Sequence, residues 1–282
     1  MKTMRPYFLL LPGLLLFTFF LIFPLYIVFE NSLHEYSRLS GMLPSFSFAN
    51  YLKILGDSYY LEIAFRTINQ AFFTSIFALI LGYPIALFLI ATSPRKRAII
   101  ILFVLSPLLI SVIVRTFGWV IILGSNGLLV NTFQYFGIEM DPLLHSRSAV
   151  IIGLTNVLLP FMVLSIVTSL QTIDPAVELA ASSLGASPFW VFMRVTFPLS
   201  IPGVVSGLLI VFSLASSSFV TPSLLGGSKL KVLSGLIYEQ AMILQNWPFA
   251  DALAVFLMVV VFAVIYIQNL VIPNKQKGMV LH

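Results

Sequence analysis

Six apolar runs, each close in helical length to the thickness of a bilayer, set the limits on how this chain folds. They fall at about 7–29, 67–91, 98–123, 149–170, 201–220 and 250–272. A bilayer core about 30 Å thick takes ~20 apolar residues per helical crossing. Backbone N–H and C=O groups in lipid need internal partners, which restricts spanning structures to helices and closed barrels. The runs are longer than barrel strands and do not alternate apolar with polar. The expected fold is an all-α membrane protein of six transmembrane helices, a single domain over residues 1–282.

Composition agrees about the solvent. The chain is 59% hydrophobic and 9% charged, where a soluble domain carries about a quarter charged residues. That excludes a cytosolic enzyme and a nucleic-acid binder. Zero cysteines exclude disulfides, thiolate metal sites and thiol catalysis. His34, His145 and His282 lie far apart without ligand spacing, so no metal is expected. The first run follows Lys2 and Arg5. It is too long for a signal-peptide core, has no small-x-small site after it, and reads as a retained anchor.

Orientation follows the placement of Lys and Arg. With the N-terminus inside, the inner segments hold Lys2, Arg5, Arg95, Lys96, Arg97, Arg194, Lys275 and Lys277, beside Asp174 and Glu178. The outer segments then hold the remaining seven of 15 basic residues with eight of the ten acids. Arg95, Lys96 and Arg97 share one very short loop, where the rule is strongest. Both termini are expected in the cytoplasm.

Between the runs, 30–66 and 124–148 read as long outer loops. In 221–249, Val232, Leu233, Leu236, Ile237, Ala241 and Leu244 recur at helical spacing, which predicts a helix against the bundle or the membrane surface. Pro24, Pro84, Pro107, Pro160 and Pro202 fall inside or at the ends of runs. They read as ordinary kinks or as breaks lining a pathway.

The one long inner segment, 171–200, is patterned. Asp174-Pro175 reads as an N-cap with proline at the first helical position. Gly185 reads as the stop of that helix, and Ser187-Pro188 as the start of a second running to Arg194. Pro198 and Pro202 are expected to punctuate the return to the membrane. Ala180, Ala181, Gly185 and Ala186 are small enough for another backbone to approach. Phe189, Trp190 and Phe192 are large and apolar with no soluble core to enter. Two readings stand: an interfacial helix on lipid headgroups, or a docking knob whose aromatics seat against the bundle while the small face enters a partner.

Glu178-Leu179-Ala180-Ala181-Ser182-Ser183-Leu184-Gly185-Ala186-Ser187-Pro188, then Arg194, Phe197-Pro198-Leu199 and Ile201-Pro202-Gly203, resembles the EAA loop of permease subunits in binding-protein-dependent ABC importers of type I. Ala180, Ala181, Gly185 and Pro198 fall on the family spacing. Leu179 stands in the place of the family's glutamate, with Glu178 one residue earlier. Leu81-Gly82-Tyr83-Pro84-Ile85-Ala86, Gly153 to Pro160-Phe161-Met162, Phe219-Val220-Thr221-Pro222-Ser223-Leu224-Leu225-Gly226-Gly227 and Trp247-Pro248-Phe249 are similar to the spermidine/putrescine permease group. That group also holds permeases for opines, phosphonates and other small organic solutes.

The resemblance implies a type I ABC importer permease (MetI-like) fold in the bacterial inner membrane. It implies half of a pore paired with a second permease, two ATPase subunits holding Mg-ATP, and a periplasmic solute-binding protein. It assigns ATPase coupling to Glu178, Ala180, Ala181, Gly185, Ala186, Ser187, Pro188, Arg194 and Pro198. This chain has no Gly-x-x-x-x-Gly-Lys-[Ser/Thr] phosphate cradle, so active transport needs its energy from another polypeptide.

Ser216, Ser217, Ser218 and Thr221 read either as helix-packing hydroxyls or as pathway lining. Asn69, Gln70 and Asn156 are costly in lipid and are expected to face the bundle interior, for packing bonds or for solute. Arg115 is expected to snorkel to the outer headgroups. No Asp or Glu lies deep in a run, so the membrane path offers no strong cation site for a polyamine. A membrane-embedded enzyme needs clustered ligands or a nucleophile with its base. A carrier working alone commonly keeps a midplane charge and internal repeats. Neither pattern is present in the sequence.

Overall fold

The computed structural model describes residues 5–271, with side chains from Leu10 to Gln268. Lys2, Lys275, Lys277 and His282 lie outside the described residues, as does the Arg5 side chain. In chain order the elements are α1 (Arg5–Phe17), a π turn (Thr18–Ile22), α2 (Phe23–Ser32), β1 (His34–Ser37), β2 (Gly41–Phe46), α3 (Ala49–Gly56) and α4 (Ser58–Ala91). Then follow α5 (Pro94–Leu109), α6 (Val112–Leu123), α7 (Leu128–Tyr135), α8 (Arg147–Leu170), α9 (Pro175–Ser183), α10 (Pro188–Val191), a second π turn (Phe192–Thr196) and α11 (Phe197–Ser217). The described chain ends with α12 (Val220–Gly226), α13 (Leu233–Tyr238), a third π turn (Glu239–Ile243) and α14 (Trp247–Val271). Among the described residues, six stretches are long and apolar enough to cross a membrane: Leu10–Ser32, Ser58–Ala91, Val112–Tyr135, Arg147–Leu170, Pro188–Ser217 and Trp247–Gln268.

By internal contacts the chain sorts into two compact units. The first holds the described residues up to Ala64 together with Leu233–Phe262. The segment 30–66, expected as a loop, is structured here. β1 and β2 pair antiparallel, turning at Gly41, whose φ of 72° suits a residue without Cβ. The second span begins at Ser58, ahead of the expected Thr67. Glu62 and Arg66 interrupt the apolar run, yet Tyr60, Ile63 and Ala64 are buried at helical spacing. They pack with Ile54, Leu233, Leu236, Phe249 and Leu253 in one cluster. The helix predicted in 221–249 is present, broken into α12, α13 and the third π turn. Val232, Leu233, Leu236 and Ala241 are buried there, while Leu244 is exposed.

The second unit holds Phe65–Val232 and the end of α14. α11 lies closely along α8. A Cβ on Gly203 would come within 2.4 Å of the Ser169 side chain, and one on Gly207 within 2.6 Å of the Met162 sulfur. Membrane helices lack a hydrophobic drive between them, so close backbone approach at small residues is what joins them.

The third run does not form one helix. It stops at Leu109, runs extended through Ile110 and Ser111, and restarts at Val112. A continuous helix would pair the Pro107 carbonyl with the N–H four residues on; here the Arg115 guanidinium donates to it instead. Arg115 therefore folds back onto its own break rather than reaching outward. The fifth span also differs from its expected bounds. Pro198 and Pro202 do not interrupt it: α10, the second π turn and α11 form one rod, Pro188–Ser217. Pro198 has no N–H, and its ring would press on the carbonyl four residues back. The wider turn relieves this, with the Phe197 N–H bonding to the Phe192 carbonyl five residues back. The same device precedes Pro24, where the Phe23 N–H bonds to the Thr18 carbonyl.

Candidate functional site

The segment between the fourth and fifth spans is built from local signals. The Asp174 carboxylate accepts the Ala176 N–H at 2.9 Å, satisfying one of the orphan donors at the start of α9. At the other end the Gly185 N–H reaches the Ser182 carbonyl at 3.0 Å and the Ala186 N–H reaches Ala181 at 3.2 Å. With φ of 87° at Gly185, this is a Schellman stop. Pro188 then opens α10 behind an extended Ser187. The expected helix–glycine–helix form is present, with the second helix continuing directly into the fifth span.

One bond closes the segment on itself. The Thr196 hydroxyl, buried in the second π turn, donates to the Glu178 carboxylate at 2.6 Å. This ties α9 to the foot of the fifth span. Between them lies a groove of about 490 Å³ lined by Leu87, Glu178, Leu179, Ser182, Pro188 and Phe192 among others. Thr196 was not singled out from the sequence, because its partner lies 18 residues away and no local pattern announces the pair.

The outer surface of this segment is apolar and open. Leu184 is 89% exposed, Leu179 67%, Phe189 62% and Trp190 50%. Ala180 and Gly185 are exposed beside them; Ala181 and Ala186 are half-buried. Phe189 and Trp190 thus do not seat against the bundle, contrary to the docking-knob expectation. Phe192 does so, half-buried against Tyr83 at 5.7 Å between ring centres. Trp190 instead lies under the Arg194 guanidinium at 4.5 Å, a cation–π contact on the open surface of the segment.

The residues expected along a pathway are dispersed. Asn156 lines a cavity of about 430 Å³ with Phe77, Leu81, Trp119 and Thr155, and its side-chain oxygen accepts from Trp119 Nε1 at 3.5 Å. Ser216 is buried and donates to the Phe212 carbonyl at 2.8 Å. Ser217 bonds back to Ser213 at 3.1 Å. Thr221 is buried 3.4 Å from the Thr116 hydroxyl, so this hydroxyl serves helix packing. Asn69 and Ser218 are half-buried, and Gln70 is buried. Of these seven, Asn156 is the one that lines the cavity. Among the described residues no group of three or more His, Asp or Glu is placed to hold a metal ion.

No protein-family profile matches the chain. The spermidine/putrescine transport system permease protein PotB of Escherichia coli (strain K12) is 33% identical over 217 residues, 76% of this chain and 78% of that protein. The PotB of Haemophilus influenzae is 32% identical over 210 residues, 74% of this chain and 73% of that protein. The chain belongs to the PotB-like family of ABC importer permeases. It is a transport subunit rather than an enzyme, and a multi-pass protein of the bacterial inner membrane. The inner membrane ABC transporter permease protein YdcU of Escherichia coli is a further relative, at 28% identity over 75% of this chain and 72% of its own.

The solved structure of a bacterial ABC transporter importing the acidic polysaccharide alginate matches with a TM-score of 0.77 at 20% identity, over 94% of this chain and 93% of that one. The methionine transporter MetNI matches with a TM-score of 0.55 at 21% identity, over 74% of this chain and 92% of that one. At these identities the likeness is one of fold, and the fold of the PotB-like chain is that of the type I importer permeases.

Proposed function

We propose that this PotB-like permease forms half of the transmembrane pore of an ATP-driven polyamine importer, and that 174–196 is the element its ATPase subunits push. The observation that carries the reading is the exposed apolar knob around Leu184, held rigid by the Asp174 cap, the Gly185 stop and the Thr196–Glu178 bond. A connecting loop needs none of these. Two ATPase subunits carrying Mg-ATP would dock here, with a second permease alongside. A periplasmic solute-binding protein would deliver the cargo on the opposite face, and both termini would lie in the cytoplasm. Spermidine or putrescine is the cargo that the PotB relatives' names support.

One observation favours a second cargo reading. The cavity lined by Asn156 carries no carboxylate, so a less strongly cationic organic solute fits its walls as well.

Two measurements test the proposal. Ala180→Trp adds bulk to the exposed small face on a helical residue without backbone strain. It is expected to abolish co-purification of the ATPase subunit while the chain still inserts; retained association sinks the docking role. Binding-protein-dependent uptake of radiolabelled spermidine by membranes carrying the assembled importer is expected. ATP hydrolysis without spermidine uptake sinks the cargo assignment.

A further inference from the structure

The Leu81–Ala86 stretch of the second span stood out in the sequence without a task of its own. Its Tyr83 is buried, and its hydroxyl lies 2.6 Å from the Ser200 hydroxyl. Ser200 is fully buried and donates its single proton to the Phe197 carbonyl at 2.9 Å. Tyr83 is therefore the donor in the pair.

The same ring meets Phe192 edge-on at 5.7 Å and Phe197 at 5.6 Å. Those two residues bound the π turn, Phe192 opening it and Phe197 following its last residue. Tyr83 thus rests across both ends of the turn. Thr196, the last residue of that turn, holds Glu178 of α9. One five-residue turn is gripped by the docking segment through Thr196 and by the second span through Tyr83. π turns interrupt the regular i→i−4 ladder and recur at functional sites in helices.

We infer that Tyr83 is a positioning residue for energy coupling: it transmits displacement of α9, received through the π turn, to the second span. The inference rests on the docking role given to 174–196. A push on α9 pulls Thr196 through its bond to Glu178. The turn yields at its irregular ladder, and Phe192 and Phe197 carry the Tyr83 ring with them. The buried hydroxyl pair keeps the ring from slipping past the turn. Removing the phenolic hydroxyl leaves the rings in contact but frees them to slide.

The test uses the full importer in proteoliposomes, reading radiolabelled spermidine taken up per ATP hydrolysed. Tyr83→Phe is expected to lower that ratio about fivefold, the scale of one buried hydrogen bond, with the ATPase subunits still assembled. Ser200→Ala, which also removes the bond to the Phe197 carbonyl, is expected to lower it at least as far, and the double variant to be no worse than Ser200→Ala, because both changes break the same Tyr83–Ser200 bond. A residue that merely supports the fold lowers the amount of assembled complex and leaves the ratio alone. An unchanged ratio in both single variants overturns the inference, as does full additivity in the double. If Tyr83→Phe fails to insert, Ser200→Ala alone carries the test. A wild-type importer that hydrolyses ATP without taking up spermidine refutes the cargo and not the coupling. Coupling is then read as binding-protein-stimulated ATP hydrolysis, which Tyr83→Phe is expected to weaken and which, if undiminished, overturns the inference.

Discussion

Thr196 has one proton to give, and it gives it to a carboxylate 18 residues back in the chain. A hydrogen bond to a charged acceptor is worth about 1.5–3 kcal/mol, and a helix as short as α9 is marginal without such tertiary support. Thr196→Val keeps the shape and removes the donor. It is expected to loosen α9, read as faster proteolysis of the 174–196 segment, and to lower solute-stimulated ATP hydrolysis severalfold; Thr196→Ser is expected to restore both. An unaltered proteolysis rate in the valine variant would show that the bond does not order the segment. Asp174, Gly185 and Pro188 were legible in the sequence because capping and stopping are decided within a few residues. Glu178 was legible as a coupling-loop candidate standing one residue before the family's glutamate position. Its acceptor role depends on a fold that brings residue 196 beneath it, and spacing along the chain carries no trace of that. The pathway candidates fared the same way. Ser216 and Thr221 read either as packing hydroxyls or as pathway lining, and choosing between the two needed the fold, in which Ser216 bonds to the Phe212 carbonyl and Thr221 lies beside Thr116.

At the scale of elements, length and hydropathy located five spans but not their true ends. The third, expected at 98–123, breaks at Ile110 and Ser111, and the stretch that can cross is Val112–Tyr135, reaching into the expected 124–148 loop. The apolar criterion stops at a charge, so Glu62 and Arg66 hid the first turns of α4, whose Tyr60, Ile63 and Ala64 face the buried cluster. Prolines misled in the other direction. Pro198 and Pro202 signal a break, and a π turn absorbs the first of them so that the rod continues. The pairing of α8 with α11 rests on small residues, and this makes a sharp prediction. Gly203→Leu places a side chain where a Cβ alone already meets Ser169 at 2.4 Å and the Ser165 carbonyl at 2.6 Å. The helices must part, and overpacking of this kind costs about 1–3 kcal/mol or more. The variant is expected to shift the thermal unfolding of the detergent-solubilised chain several degrees lower. A midpoint equal to wild type would mean the two helices are not held by that contact.

For the molecule as a whole, charge placement is the lever on orientation, and the absence of cysteine makes it measurable. Ser93→Cys, beside the Arg95–Arg97 cluster, and Ser40→Cys, in the β1–β2 turn, both sit at exposed positions. In intact cells a membrane-impermeant thiol reagent is expected to label Ser40→Cys and to spare Ser93→Cys until the membrane is permeabilised. The reverse pattern would invert the topology and put the 174–196 knob on the wrong side for an ATPase. The Leu10–Ser32 stretch is the most exposed of the apolar spans. None of its most apolar window is buried, so lipid or another subunit must solvate it.

The π turns that precede Pro24 and Pro198 also leave a mark on heredity. Each inserts one residue more than a regular helix would hold, so a lineage that lost the proline could shed that residue and close the ladder. Because the wide turn absorbs its extra residue locally, such a lineage would keep the facing of the rod on both sides, where the same loss from a regular helix turns one part against the other by about 100°. Comparing distant cousins of this chain therefore calls for a one-residue gap near 192–196 wherever the proline has gone.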